Sequence, residues 1–438
     1  MSSEWNTIKL KDFADINPRR TIIKNSLVPY IEMSALPMND RDIPVFNIGT
    51  RLNKSGGGSK FQNGDTLLAR ITPCLENGKT GLVQTLKNNE CGLGSTEFIV
   101  LGPRSNDDIN FLYYLSKSPE FRDYAIARME GTSGRQRVSR DTIGEYRFLC
   151  PPIIERKTIG ALLAALDDRI ALLRETNATL ESIAQAIFKS WFIDFDPVKA
   201  RQQGQEPQGM DAATAALFPD AFQDSELGPI PAGWEVLSLG ELVCTVGGGT
   251  PSTKDISYWQ PAEFAWTTPK DLSAQDSPVL LKTERMISAK GVEKLSSGLL
   301  PKGTLLLSSR APIGYLAIAG IPLCINQGYI AILPDSVLSP LYMLFWCKNH
   351  MELIKNRSNG STFLEINKKS FRGISAIKPP DVLLKCFTDL ITPVFDRIVE
   401  NEQKSQTLVS IRDALLPRLI SGKLRLPEAE AMVGEAGL

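Results

Sequence analysis

The side chains that usually carry catalysis are scarce in this sequence and form no familiar pattern. The single histidine, His350, lies in an apolar and aromatic segment, where a structural role is more common than a catalytic one. The run Gly247-Gly-Gly-Thr-Pro251 lacks the lysine of a phosphate-binding loop and is better interpreted as a flexible turn. The sequence also contains no G-x-S-x-G, no H-E-x-x-H and no Asn/Asp-Pro-Pro-aromatic tetrapeptide. We therefore expect no catalytic residue, no bound metal and no cofactor.

Two turns rich in glycine, hydroxyl and basic side chains are the better candidates for recognition. They occupy residues 131–140 and 360–369, and each leads through basic residues toward a double proline. Arginine forks onto guanine and glutamine onto adenine are common base contacts, while serine, threonine and further arginines hold phosphates. The candidate DNA-binding residues of these turns are Thr132, Ser133, Arg135, Gln136, Arg137, Arg140, Ser361, Thr362, Lys368 and Lys369.

A second group of candidates follows two short apolar segments that are predicted to be buried strands. Gly64-Asp-Thr-Leu-Leu-Ala-Arg70 recurs as Gly303-Thr-Leu-Leu-Leu-Ser-Ser-Arg310, which suggests that Arg70 and Arg310 are equivalent. The alternative, that all these side chains are solvated loop residues of an α+β domain, stays open for each residue taken singly. The second group comprises Arg70, Thr72, Asn77, Lys79, Ser95, Thr96, Ser309, Arg310, Asn326 and Gln327.

Long amphipathic helices must position these turns. Over residues 155–191 the apolar positions alternate steps of four and three, which is typical of a coiled-coil seam. Such a helix is roughly 50 Å long at 1.5 Å per residue, too long to be buried in one compact domain. The same seam pattern is predicted over residues 381–419, where Pro393 either kinks the helix or marks its start. The predicted seam positions are Ile159, Leu163, Leu166, Ile170, Leu173, Asn177, Leu180, Ile187, Ile391, Val394, Ile398, Asn401, Leu408 and Leu415.

The two halves of the chain repeat the same landmarks in the same order. Asp167-Asp168-Arg169-Ile170 matches Phe395-Asp396-Arg397-Ile398, and each helix follows a double proline. If the helices pack antiparallel, aligning their midpoints brings Asn177 opposite Asn401. A polar pair in an apolar seam fixes register and orientation, although both asparagines reaching solvent is an equal alternative.

Length and composition describe a globular chain with room for several cores. The 438 residues suffice for two or three domains, and the mean hydropathy of -0.10 suits a soluble protein. A formal net charge of zero confines any nucleic-acid contact to local basic clusters. The 7 cysteines are scattered without a C-x-x-C pair, which predicts free thiols in a reducing cytoplasm. We expect neither a signal peptide nor a membrane span.

The pattern as a whole resembles the specificity (S) subunit of type I restriction-modification systems. The run SWFIDFDPVKA with its continuation GMDAATAALFPDAFQDSELGPIPAGW is similar to the central conserved region of that family, and LLPRLISGKLRL to its C-terminal one. The resemblance implies a non-catalytic chain with two target recognition domains, each reading one half of a bipartite, asymmetric site in double-stranded DNA. It also implies that the paired helices set the half-site spacing and dock two methyltransferase subunits, with endonuclease/translocase subunits joining the complex.

The fold expected from these observations is α+β, with a pseudo-two-fold internal repeat. Two similar mixed α/β domains are predicted at opposite ends of an antiparallel two-helix coiled coil. Residues 194–233 are rich in Gln, Pro, Gly and Asp and carry too few apolar side chains for a core of their own, which predicts an extended connector. The expected segments are recognition domain 1 (1–150), helix 1 with the central region (151–195), the connector (196–232), recognition domain 2 (233–378), helix 2 (379–424) and a C-terminal tail (425–438).

One departure and one rival interpretation remain. The basic turn of the first half lacks the Phe-Leu-x-Ile run present in the second half at 363–366, so the two loops differ in sequence beside the candidate residues. The rival hypothesis is a coiled-coil interaction scaffold whose end domains bind proteins or other ligands instead of DNA. Salt-sensitive binding to duplexes that share a split motif would separate the two.

Overall fold

The computed structural model describes residues 5–54, 57–87, 90–132, 134–273, 275, 277–358 and 364–435. The chain forms two compact units. Unit 1 comprises residues 1–172 and 405–438, and unit 2 comprises residues 173–404. Candidate residues Ser133, Ser361 and Thr362 lie outside the described residues.

Unit 1 is built on two small four-stranded sheets and one strand pair. Its helical segments follow the strands, and Phe61, Leu67 and Phe98 are fully buried in the core between them. The first sheet has the order Ala14–Ile16, Phe98–Pro103, Thr66–Ala69, Thr80–Leu82, and the second has the order Gly49–Leu52, Leu27–Ile31, Gly92–Gly94, Ser59–Phe61; Asn6–Lys9 pairs with Arg147–Cys150. The helices are Leu10–Phe13, Ile109–Lys117, Pro119–Ile126, Arg140–Gly144 and Leu426–Glu435, with 3-10 turns at Val45–Asn47 and Asn106–Asp108.

Unit 2 repeats this plan with additions. Its larger core continues into the long helices and contains many aromatic side chains. One sheet has the order Thr245–Gly247, Tyr329–Ile332, Leu305–Ser308, Leu316–Ala319, Val279–Leu280; another has the order Arg285–Ile287, Phe264–Thr267, Cys324–Ile325; Glu235–Ser238 pairs with Ser375–Lys378 and Phe222–Gln223 with Ile230–Pro231. The helices are Asp196–Gln202, Ala212–Ala215, Leu239–Leu242, Pro269–Ser273, Ala289–Glu293, Pro340–Asn349, Met351–Asn356 and Lys368–Arg372, with a 3-10 turn at Ile256–Tyr258.

The predicted internal repeat is confirmed by strand register. In unit 1 the strand after Trp5 pairs antiparallel with the strand that ends at the first double proline. In unit 2 the strand after Trp234 makes the same pairing with the strand that ends at the second double proline. In each half that terminal strand leads directly into a long helix, because the prolines cannot donate the hydrogen bonds that would continue the strand. The mixed helix-and-sheet fold expected from the sequence is thus present twice.

The two long helices are Ile153–Phe192 and Asp381–Ile420. The second helix continues through Pro393, so that proline is not the start of the helix. Pro393 is exposed, and the Thr392 hydroxyl one residue earlier donates to the Thr388 carbonyl at 2.7 Å. A proline removes one backbone donor, and the remaining intrahelical bonds are sufficient to continue the helix.

In unit 1 the helical segments run antiparallel and meet through charged groups. Asp167 lies 2.6 Å from Arg412, and Glu155 lies 3.2 Å from Arg425, which follows the end of the second long helix, so residue numbers rise along one segment as they fall along the other. The Asp167 carboxylate also accepts a 2.5 Å hydrogen bond from the Tyr114 hydroxyl. Burial lowers the pKa of Arg412, but the adjacent Asp167 carboxylate outweighs this and raises it above the usual arginine value.

In unit 2 the helical segments are also antiparallel and meet through a polar pair and aromatic rings. The Asn401 amide donates to the Asn177 side-chain oxygen at 2.9 Å, and the Asn177 amide donates to the Ile398 carbonyl at 3.3 Å. Asn177 is 7% exposed and Asn401 1% exposed, so neither side chain reaches solvent. Further along, the rings of Phe188 and Phe387 lie 5.7 Å apart. The antiparallel two-helix arrangement expected from the sequence is therefore present in each unit.

The other seam candidates vary in burial. Leu180, Ile187 and Val394 are half-buried, and Phe188 is more deeply buried than its neighbour Ile187. Two polar seam positions, Ser405 and Arg412, were absent from the prediction because it selected apolar side chains and the two asparagines. The buried seam candidates are Ile159, Leu163, Leu166, Ile170, Leu173, Asn177, Ile391, Ile398, Asn401, Leu408 and Leu415.

The prediction of an extended connector over 196–232 is wrong. The segment contains the helices Asp196–Gln202 and Ala212–Ala215 and one strand pair. Phe218 is buried, and its ring packs edge-on against Trp191 at 5.3 Å. The few apolar residues cannot form a core alone, as expected, but they are buried in the core of unit 2 instead. The tail likewise contains the helix Leu426–Glu435.

Replacing Arg412 with methionine is predicted to lower the free energy of unfolding of unit 1 by about 3–5 kcal/mol, because it leaves the buried Asp167 carboxylate without its cation. Urea denaturation followed by circular dichroism measures this. The matched control is Arg418→Met in the same helix, where the side chain is exposed and little change is expected. The double variant Asp167→Asn/Arg412→Met should recover most of the loss, since the amide oxygen still accepts from Tyr114 without carrying a charge. Equal stability of Arg412→Met and Arg418→Met would contradict the prediction.

Candidate nucleic-acid interface

Three segments of unit 1 meet at the end of the strand Thr66–Ala69. The Arg70 amide donates to the Glu97 carbonyl at 3.0 Å, and the Val138 amide donates to the Arg70 carbonyl at 3.0 Å. The Thr72 amide donates to the Gln136 carbonyl at 3.0 Å. The sheet order causes this, because the strand beginning at Phe98 lies beside Thr66–Ala69 and brings the preceding turn to its end. Candidates that are far apart in the sequence therefore share one face.

One candidate arginine of this face already has a partner within the unit. The Arg137 guanidinium donates to the Glu97 carboxylate at 2.8 and 3.0 Å, and this bonding and charge raise the pKa of Arg137. Nearby, the Arg70 Nε and the Thr72 hydroxyl are buried and have no hydrogen-bond partner among the described residues. Buried polar atoms without a partner are uncommon in folded proteins, so these two atoms keep hydrogen-bonding capacity that a ligand could use.

The remaining candidates of unit 1 differ in their exposure to solvent. Lys79 is half-buried and donates to the Met33 carbonyl at 2.9 Å, and the Ser95 hydroxyl accepts from the Glu97 amide at 3.2 Å. Both side chains therefore support the turn beside them. The exposed candidates are Asn77, Thr96, Thr132, Arg135 and Arg140.

Unit 2 builds the equivalent face from the corresponding segments. The Ser309 amide donates to the Gly328 carbonyl at 2.8 Å, and the Ile366 amide donates to the Ser309 carbonyl at 3.0 Å. Arg310 lies 3.8 Å from the Glu365 carboxylate. The side chains of Asn326 and Gln327, in the turn before Gly328, also form hydrogen bonds within the unit. Asn326 Oδ1 accepts from the Gly328 amide at 2.8 Å. The Gln327 side-chain oxygen accepts from the Thr250 hydroxyl at 2.6 Å, and Lys368 and Lys369 are exposed.

The structure corrects one predicted equivalence. In unit 1 Thr66 pairs with Leu101, and at the same point of unit 2 Leu305 pairs with Ile332. Counting along the two strands from these pairs makes Arg70 correspond to Ser309. The bridge between Ile71 and Arg137 corresponds to that between Arg310 and Glu365. Arg70 and Arg310 are therefore one position apart, because the sequence comparison aligned the arginines across an additional serine.

This register also shows that the ion pair of the face has opposite polarity in the two units. In unit 1 the loop supplies the cation, Arg137, and the turn supplies the anion, Glu97. In unit 2 the loop supplies the anion, Glu365, to the cation Arg310 on the strand end. Sequence reasoning missed both glutamates because it searched these segments for basic, amide and hydroxyl side chains and not for acidic ones. Comparing the charges of each loop with those of the neighbouring segments would have indicated these two glutamates.

The described part of the chain offers little for catalysis. His350 stacks on Trp346 with ring centroids 4.3 Å apart, its Nδ1 lies 2.9 Å from the Trp346 carbonyl oxygen, and burial lowers its pKa. Among the described residues, no three His, Cys, Asp or Glu side chains come together as metal ligands. None of the helices that the structure describes is long and apolar enough to cross a membrane.

Comparison with known proteins points to one family. The family model described as the type I restriction modification DNA specificity domain matches residues 2–182 and 231–381. The type I restriction enzyme HindI specificity subunit of Haemophilus influenzae is 27% identical over 407 residues, which cover 83% of this chain and 87% of that one. The MjaIX specificity subunit of Methanocaldococcus jannaschii is 39% identical over 191 residues, covering 43% of this chain and 44% of that protein.

A solved structure has a similar fold. The crystal structure of the type I restriction-modification system S subunit from M. genitalium superposes with a TM-score of 0.56 and 15% sequence identity. The match covers 96% of each chain. At this level of identity the likeness concerns the fold alone.

Replacing Glu97 with glutamine is predicted to release Arg137 and loosen the loop of unit 1. Amide hydrogen exchange of residues 134–138 should become about two- to fivefold faster, as expected for loss of a surface ion pair. The control is Glu76→Gln, an exposed position in the adjacent turn, which should leave these amides unchanged. Unchanged exchange in Glu97→Gln would mean that the ion pair does not hold the loop.

Proposed function

Because the chain belongs to the type I restriction-modification DNA specificity family, we propose that it is the non-catalytic, DNA-reading subunit of such a complex. It carries two DNA specificity domains, and each reads one half of a bipartite, asymmetric site in double-stranded DNA. The observation that carries the proposal is the face built twice from the same three segments. Matched backbones present Arg70, Thr96 and Arg137 in one unit and Ser309, Gln327 and Glu365 in the other. Matching backbone with different side chains suits two readers of different sequences.

The same proposal assigns a second role to the long helices. Each helix contributes to both units, and its exposed surface is available for other subunits. We propose that the helices set the distance between the half-sites and dock two methyltransferase subunits, with endonuclease/translocase subunits joining the complex in the cytoplasm. The seam supports a spacer role, because the buried Asn177–Asn401 pair allows one register. Methyl transfer and cleavage then belong to the partners.

The full chain, with its methyltransferase if the two co-purify, is predicted to select one split motif from a pool of random duplexes. Each half of the motif should depend on one domain, so exchanging residues 1–150 for the equivalent segment of a relative should change only one half. Sequencing of bound duplexes at two salt concentrations measures this, since specific binding outlasts non-specific binding as salt rises.

Three outcomes bear on this prediction. No enriched motif, or a motif with a single contiguous block, would refute the reading of two half-sites. An exchange of residues 1–150 that changes both halves would refute independent domains. Methyl transfer by the isolated chain would refute a purely recognitional role.

Inserting one heptad into each long helix is predicted to lengthen the gap between the half-sites without changing either half. Seven residues preserve the seam and add about 10 Å at 1.5 Å per residue, or about three base pairs at 3.4 Å each. Insertions beside Asn177 and beside Asn401 keep the added segments matched. The control inserts the heptad in one helix only, which mismatches the seam and should lower stability. An unchanged gap in the stable double insertion would count against the spacer role.

A further inference from the structure

Each unit presents an arginine stacked on an aromatic ring outside the face described above. In unit 1 the Arg51 guanidinium carbon lies 4.7 Å from the centre of the Tyr30 ring. In unit 2 the Arg285 guanidinium carbon lies 3.7 Å from the centre of the Trp259 ring and 5.1 Å from that of Trp266. A guanidinium over a ring is held in place while its in-plane N–H groups keep their direction. Both arginines are thereby pre-oriented.

The two arginines lie on corresponding edge strands of the repeated fold, two residues apart in register. Arg51 pairs with Val28, whereas Arg285 pairs with Trp266, the counterpart of Tyr30. Arg51 lies on the edge strand of the order Gly49–Leu52, Leu27–Ile31, Gly92–Gly94. Arg285 lies on the edge strand of the order Arg285–Ile287, Phe264–Thr267, Cys324–Ile325. The central strand of each set carries one of the stacked rings, and the third strand leads directly into the turn of the candidate face.

Backbone hydrogen bonds define the correspondence of the strands. The Ser95 amide donates to the carbonyl of Ile31, the residue after Tyr30, at 3.2 Å. The Asn326 amide donates to the carbonyl of Thr267, the residue after Trp266, at 3.0 Å. Neighbouring strands are about 4.8 Å apart, so the edge strand that carries each arginine lies about 10 Å from the strand that leads into the turn. That distance is within the footprint of one duplex on the unit.

The stacked arginines differ from those of the candidate face in their partners. Arg137 and Arg310 each lie beside a glutamate. Arg51 and Arg285 are exposed, and the described residues supply neither side chain with a carboxylate or a hydrogen-bond acceptor. Their N–H groups are therefore free for an anion outside the chain, and no internal ion pair must be broken first.

We propose that Arg51 and Arg285 each clamp a backbone phosphate of the DNA, one beside each half-site. A contact that serves two domains reading different sequences is best made to the part of DNA that does not vary, the sugar-phosphate backbone. The planar fork matches two phosphate oxygens, and the stacked ring reduces the freedom lost on binding. This inference rests on the proposed function and adds the residues that set the position of each unit on the duplex.

The test measures the affinity of the full chain for its selected duplex over a series of salt concentrations, with Arg51→Ala and Arg285→Ala beside the unaltered protein. Each substitution is expected to reduce the slope of log affinity against log salt by about 0.9, the value for one phosphate contact. Affinity at fixed salt should fall about tenfold or more. The ratio of specific to non-specific affinity, and the selected motif, should stay unchanged.

Three further variants separate the contact from general charge. Arg51→Lys should keep the salt slope but lose part of the affinity, since an ammonium neither forks nor stacks equally well. The matched controls are Arg104→Ala in unit 1 and Lys302→Ala in unit 2. Each removes one positive charge beyond the strand end opposite the candidate face, and each should leave slope and affinity nearly unchanged. Thermal melting shows whether every variant is folded.

Distinct results would overturn this inference and the proposed function. An unaltered protein that selects a split motif, together with alanine variants of unchanged slope, overturns the phosphate contact alone. A motif that changes at one base in Arg51→Ala or Arg285→Ala overturns it in favour of base reading. Control variants that match the alanine variants overturn it in favour of diffuse charge. An unaltered protein that binds no duplex overturns the proposed function and this inference with it.

Discussion

The seam between the two long helices is the constraint on which the remaining structure depends. Each helix follows a strand that closes one repeat. In unit 2 the register is specified by Asn177 and Asn401, which are buried and share a hydrogen bond that forms in one alignment. In unit 1 the buried pair Asp167 and Arg412 has the same effect, because a shift along the helix would separate the charges. Polar groups thus select the one alignment that the apolar stripe alone would not distinguish.

Much of this architecture could be predicted because it follows from periodicity and repetition. Steps of three and four residues identified both helices, and shared landmarks identified the repeat. The polar seam positions Ser405 and Arg412 could not be found in this way, since their place depends on partners such as Asp167 on the other helix. The fold of residues 196–232 was missed for a related reason. Phe218 gains its burial from Trp191, and local composition does not contain that contact.

The sequence indicated the loops and strand ends as candidates, but neither that they lie side by side nor how their charges pair. The sheet order brings them together. Glu97 and Arg137 meet only because of the sheet order. The strand Phe98–Pro103, which follows Glu97, lies beside the strand Thr66–Ala69, whose end adjoins the loop that carries Arg137. Sequence similarity also aligned Arg70 with Arg310, whereas the hydrogen-bond ladder aligns Arg70 with Ser309. Which basic side chains are free, and which are neutralised, is therefore a property of the sheet order.

The opposite polarity of the two ion pairs has a consequence for how such a gene can evolve. Recombination between the two repeats that moved only the loop would place Glu365 against Glu97 in one product and Arg137 against Arg310 in the reciprocal one. Like charges at these positions repel where opposite charges now hold the loop. Short exchanges between the halves that move only the loop therefore bring like charges together, whereas exchanges at the double prolines carry loop, turn and counter-charge together. The charge pattern is kept only when the whole domain is exchanged.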